Sequence, residues 1–155
     1  MTITGQLRGE LQCRELTYKH IVRIMTATNG TTHFAPELHI PNGTRDIEFY
    51  TRFGATEHFC LRNEDGSVHV AELEINGAIF HLHEVMTWFE AIEPVAGKGV
   101  TTVIGLFVPD VDEVMAKAIS AGATEISPAK DYEYGYRQGM FRDPFGHYWQ
   151  IQKKV

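Results

Sequence analysis

From Thr32 onward, two kinds of hydrophobic spacing alternate along the chain, and their order repeats. HFAPELHIP reads as a strand closed by Pro41-Asn42-Gly43. In RDIEFYTRF, Ile47, Tyr50 and Phe53 fall on one face of a short helix, and Gly54 stands where a helix-ending glycine belongs. ATEHFCLRN, VHVAELEIN and AIFHLHEV follow as strand-like runs, separated by Glu64-Asp65-Gly66 and Asn76-Gly77, both hairpin-type connections. A linker, WFEAIEPVAGKG, then opens a second pass of the same plan. TTVIGLFVP predicts a strand, and Asp110 with Glu113 has the spacing of a helix-capping pair. Val111, Val114, Met115, Ala118 and Ile119 form the apolar face of a helix that Gly122 terminates. ATEISPAKDY, YGYRQGMFRD and HYWQIQKKV predict three further strands.

The repeat is marked by Gly54-Ala55-Thr56-Glu57 and Gly122-Ala123-Thr124-Glu125, which open the second strand of each pass. An α+β fold of two βαβββ modules follows, at about 32–86 and 100–155, with helices on one side of the sheets and a concave face left for a ligand. Residues 1–31 read as an N-terminal extension. There Leu7, Leu11, Tyr18, Ile21, Val22 and Met25 fit a helical stripe, while YKHIVRIM fits a strand equally well.

Composition narrows the function classes. The chain has 155 residues, 43% hydrophobic and 22% charged, which excludes a disordered chain. A formal net charge of −6 disfavours a nucleic-acid partner. No apolar run approaches the roughly 20 residues needed to cross a bilayer, so no membrane partner is expected. MTITGQLRGELQCRELTYKH lacks the apolar core of a signal peptide, and Cys13 and Cys60 lack metal or disulfide-framework spacing. A cytoplasmic protein with two reduced thiols is the expectation.

Several motifs together resemble the vicinal-oxygen-chelate superfamily, the glyoxalase/bleomycin-resistance/dioxygenase group, and within it the PhnB-like branch. They are Asp46-Ile47-Glu48-Phe49-Tyr50 before Phe53-Gly54-Ala55, Ala71-Glu72-Leu73 before Asn76-Gly77, Val108-Pro109-Asp110-Val111-Asp112, Ala121-Gly122-Ala123-Thr124, and Arg142-Asp143-Pro144-Phe145-Gly146-His147-Tyr148-Trp149. The similarity covers residues 32–155, taken as one domain. It implies that the modules form a shared, partly open barrel-like sheet around a pocket, and that the protein is a homodimer. In metal-dependent members the ligands come from the first and last strands of each module. Carried over by motif, those positions are Ala35, His81, Val103 and Gln150. Ala35 and Val103 cannot ligate, so only His81 and Gln150 remain as metal candidates, with Glu37 or His39 able to replace Ala35 by strand alternation.

The residues admit competing readings. Alternation puts His81 and His83 on one face, where imidazoles bind metal, exchange protons near neutral pH, hydrogen-bond a ligand, or pack. Glu37 and His39 offer a carboxylate–imidazole pair on the facing strand. Arg137, in a segment similar to the Trp-Gly-x-Arg stretch of PhnB-like proteins, either holds an anionic ligand or braces the pocket wall by an ion pair. Gln150 suits a neutral hydrogen-bonder, whereas Trp149 and Ile151 fall on the core face. His20, His33, His58, His69 and His147 read as surface or turn residues. No nucleophile triad order or phosphate-binding glycine loop occurs. The expected function is small-organic-molecule binding without a cofactor or tightly held metal; a metal-dependent lyase, isomerase or dioxygenase is the alternative.

Overall fold

The computed structural model describes residues 32–86, 91–95 and 97–155. The reading of the N-terminal extension, and of Trp88-Phe89-Glu90 in the linker, lies outside these residues. The chain divides into two units at His33/Phe34, and the second unit, Phe34–Val155, carries both modules.

Each module has the predicted βαβββ order. The first comprises β1 (Glu37–Ile40), α1 (Glu48–Phe53), β2 (Thr56–Arg62), β3 (Val68–Ile75) and β4 (Ala78–Glu84). The second comprises β5 (Ile104–Phe107), α2 (Val111–Ala121), β6 (Thr124–Tyr132), β7 (Tyr136–Arg142) and β8 (Tyr148–Lys154). The four-stranded sheets are ordered β1-β4-β3-β2 and β5-β8-β7-β6, so each first strand runs parallel beside its module's last. The sheets are open, and no strand pairing among the described residues joins them. The modules meet through side chains.

Local chemistry accounts for the boundaries. Asp110 caps α2 by accepting from the Glu113 N–H at 3.0 Å. Asn76 and Gly77, with φ of 51° and 89°, supply the two left-handed residues that a tight β3–β4 hairpin needs. β1 is shorter than its hydrophobic run predicts because it lies between prolines. Pro36 has no N–H to give and pairs only through its carbonyl, which accepts from the His81 N–H at 2.8 Å. Ala35 therefore precedes β1, and Val103 precedes β5.

One aromatic cluster forms the joint. Phe49, Tyr50 and Phe53 of α1 are buried with Phe80 of β4, Phe141 of β7 and Trp149 of β8. The Trp149 ring lies 5.5 Å from Phe53 and 5.4 Å from Phe80, so the second module's last strand packs into the first module's helix and sheet. On α2, Val111, Met115 and Ala118 are buried as the stripe predicts, but Ile119 remains 38% exposed. It sits at the edge of the stripe.

Candidate functional site

On the first sheet, register gathers imidazoles and carboxylates on one face. The parallel β1–β4 pairing sets Glu37 beside His81 and His39 beside His83, and the antiparallel β3–β4 pairing sets Glu72 opposite His81. His81 Nε2 lies 3.1 Å from Glu72 Oε2, in a half-buried pair. The other Glu72 oxygen is 3.9 Å from His58, which is also 3.0 Å from Glu74. His39 Nε2 is 3.8 Å from Glu37. The His83 ring stands 6.4 Å from that of His39 and 4.9 Å from that of His69, and its Nδ1 lies 2.8 Å from the Glu84 carbonyl oxygen. His69, read from sequence as surface, is half-buried here, bonded to the Glu84 carboxylate and edge-on to the His83 ring. Carboxylate-held imidazoles of this kind can exchange protons with, or hydrogen-bond, a bound molecule.

The second sheet is chemically different. The β5–β8 register sets Gly105 beside Gln150 and Phe107 beside Gln152. Gln138 and Gln150 both donate to Gln152 Oε1, at 2.8 and 2.9 Å. A Cβ at Gly105 would stand 3.1 Å from the Gln152 amide nitrogen, so the absent side chain makes room for this amide cluster. Beside it run Phe107, Tyr136, Tyr134 and Tyr132, with successive ring centroids 6.1, 6.0 and 5.1 Å apart. Phe107 and Tyr134 are 60% and 62% exposed. The face offers neutral hydrogen-bonding groups beside flat apolar surface.

Arg137 is placed elsewhere. It alternates with Gln138 onto the opposite side of β7, where its fork donates to both Asp112 oxygens of α2 at 2.6 Å and to Asp131 at 2.9 Å. These bonds hold Arg137 more firmly protonated and Asp112 below the usual carboxylate range. The structure thus groups Glu37, His39, His81 and His83 on one sheet and Gln150 on the other, with Arg137 behind the second.

The resemblance implies a divalent metal, which needs several converging donors. Glu37 and His81 adjoin in the first module, but their register counterparts in the second are Gly105, which has no side chain, and Gln150, a neutral amide. His81 Nε2 is already engaged by Glu72. Among the described residues, no group of three or more His, Cys, Asp or Glu side chains is arranged to hold a metal ion. These residues do not fit the expected three or four converging donors.

Sequence reasoning missed the residues that join the modules. Asp143, 3% exposed, accepts from the Tyr50 hydroxyl (2.9 Å) and the Trp149 indole N–H (3.0 Å) at one oxygen. Its other oxygen accepts from the Phe145 and His147 backbone N–H groups at 3.0 and 2.9 Å. Burial and the adjacent Asp143 carboxylate push the Tyr50 phenol well above its ordinary range, keeping it a donor. The signal was present in Asp-Pro-Phe-Gly, but a turn motif does not name partners 93 residues away. His147, also read as a turn residue, is half-buried, with Nε2 2.9 Å from the His39 carbonyl oxygen.

Burial lowers the His147 pKa, and His39 adds to the lowering, against opposing contributions from Asp143 and the His39 carbonyl. The folded state therefore favours neutral imidazole, and the unfolded chain binds the extra proton. The contribution of His147 is complete above its unfolded pKa, about 6.5, and is lost as pH falls through the lower folded value. Urea unfolding of the wild type is expected to lose stability between about pH 7 and pH 5, and His147→Gln should flatten that slope. An unchanged slope in the variant would assign the acid sensitivity to other groups.

Comparison with known proteins agrees with this architecture. Residues 30–151 match the Glyoxalase/Bleomycin resistance protein/Dioxygenase superfamily. The uncharacterized protein Mb0911c of Mycobacterium bovis is 32% identical over 133 residues, spanning 83% of this chain and 88% of that one. Among solved structures, TioX from Micromonospora sp. ML1 superposes with a TM-score of 0.61 at 26% identity, covering 80% of this chain and 97% of TioX. A glyoxalase/bleomycin resistance protein/dioxygenase family enzyme from Burkholderia phytofirmans PsJN gives 0.55 at 20% identity, covering 77% and 97%. With paired βαβββ modules and a family match that spans both, the chain belongs to the glyoxalase/bleomycin resistance protein/dioxygenase superfamily.

Proposed function

We propose that this protein is a PhnB-like member of the superfamily that binds a small organic molecule without a tightly held metal, as a cytoplasmic homodimer. The observation that carries the reading is the pairing of Gly105 with Gln150 on the second sheet. Where a metal enzyme of this family needs charged or imidazole donors, this chain offers neutral amides beside the exposed Phe107 and Tyr134 rings. Amides and aromatic faces suit a neutral, flat ligand, which they orient by hydrogen bonds and hold by stacking. The imidazole–carboxylate face of the first sheet would supply further hydrogen bonds, with Glu72 keeping His81 oriented.

The test is a nuclear magnetic resonance titration with benzamide. The expected result is saturable shifts centred on the side-chain amides of Gln138, Gln150 and Gln152, weakened roughly tenfold by Gln150→Ala together with Tyr136→Ala. Shifts scattered over the surface, or equal affinity in the double variant, would refute this site. A second reading, a metal-dependent lyase, isomerase or dioxygenase, is favoured by one observation, the register of Glu37 beside His81. It requires His81 to leave Glu72 and bind a cation.

A further inference from the structure

At one end of the second sheet, three neighbouring strands place Thr124, Arg142 and Tyr148 side by side. The register pairs Thr124 with Arg142 and Arg142 with Tyr148, so all three share a face with Gln150. They line a cavity of about 300 Å3, completed by the Asp143–Gly146 turn and by Pro94, Val95 and Val100 of the linker. The linker is set tightly on the turn. Gly146 has a φ of 99°, and a Cβ there would stand 2.8 Å from Pro94 Cβ, so only glycine permits this approach.

Arg142 is the arginine that lines this cavity. Arg52 is bonded to Glu48, Arg62 to the carbonyls of Arg45 and Gly66, and Arg137 to Asp112 and Asp131. Arg142 is half-buried, and its side chain makes no hydrogen bond or ion pair with another described residue. The nearest carboxylate in sequence, Asp143, is committed to its four donors. A half-buried guanidinium that lines a cavity and has no carboxylate partner leaves its donors available to an anion.

We propose that this cavity is a subsite for the carboxylate of a small aromatic or aliphatic acid. The planar guanidinium of Arg142 matches a carboxylate through two parallel hydrogen bonds, and the Thr124 and Tyr148 hydroxyls lie on the same face as further donors. Val95, Val100 and Phe145 receive the apolar body of the acid. The volume lies at the lower end of small-ligand pockets, which sets the scale at a single ring or a short chain. The inference rests on the proposed function only in taking the ligand to be a small organic molecule; the cavity and the Gln150 cluster are probed by different compounds.

The experiment titrates the full-length protein with benzoate, benzamide and inorganic phosphate, reading resonances of Thr124, Arg142 and Tyr148 apart from those of Gln138, Gln150 and Gln152. Benzoate is expected to saturate the first group and to bind roughly tenfold more tightly there than benzamide or phosphate. Arg142→Gln should weaken benzoate roughly tenfold, and Arg142→Lys, which keeps the charge but loses the fork, by an intermediate factor. Because the Arg142 side chain bonds to no described residue, both variants should melt within about 2 °C of wild type, which keeps the comparison clean. Benzoate binding that is absent, indifferent to Arg142, or matched by benzamide or phosphate would overturn the subsite. Benzamide shifts at the Gln150 cluster would still stand in that case, so failure here is distinguishable from failure of the proposed function.

Discussion

Asp143→Asn is expected to destabilise the protein by about 3 kcal/mol or more, lowering the melting temperature by roughly 10 °C. The carboxylate accepts four hydrogen bonds at a site 3% exposed, from Tyr50, Trp149, Phe145 and His147. An asparagine keeps one acceptor oxygen and turns an NH2 group toward two of those donors. If its oxygen stays on the backbone N–H groups, the Tyr50 hydroxyl and the Trp149 indole lose their acceptor in a dry environment. The indole cannot turn around, because its N–H is a donor only. Asp143 also ties α1 of the first module to β8 of the second, so the loss should appear as reduced global stability rather than local fraying. Urea unfolding followed by circular dichroism measures it, and a change below about 1 kcal/mol would mean that water or a shifted turn satisfies the stranded donors.

Trp149→Ala should cost a similar amount, about 3–5 kcal/mol. Trp149 is 1% exposed, and its ring centroid lies 5.4 to 6.3 Å from those of Phe53, Phe80, Phe141 and Tyr50. Truncation opens a cavity between rings held by both modules and removes one donor from Asp143. Trp149→Phe keeps an aromatic face and should lose markedly less, which separates ring packing from the indole hydrogen bond. Equal losses in the two variants would place the energy in the N–H···carboxylate bond instead.

The element order was legible because it depends on local chemistry. Gly54 and Gly122 end helices, Asp110 begins one, and Asn76-Gly77 turns a hairpin, each within a few residues of its cause. The core face of β8 was also legible, since Trp149 and Ile151 alternate with Gln150 and Gln152. What escaped was register between distant strands. Motif transfer points to Ala35 and Val103, with Glu37 or His39 as the alternative to Ala35, and the strand neighbours of His81 and Gln150 are Glu37 and Gly105. Prolines 36 and 41 shorten β1 and leave its pairing to be set by β4, which no periodicity within β1 reveals. Arg137 is legible in part. An ion pair is one of the two roles its motif context offers, and it is made with Asp112 and Asp131, but one step of alternation along β7 puts it behind the second sheet and away from the Gln150 face. Nothing local to Arg142, five residues on, announces that linker residues Pro94, Val95 and Val100 line a cavity with it.

The proposed function takes the amide face of the second sheet, Gly105 beside Gln150, to stand where a metal-dependent member of the family would place donors. Elemental analysis of the dialysed, full-length protein by plasma mass spectrometry tests it most directly, with His81→Ala measured alongside. The account predicts Zn, Ni, Mn and Fe well below stoichiometric in both. A near-stoichiometric metal in the wild type, lost in His81→Ala, would contradict it and restore the metal-dependent reading.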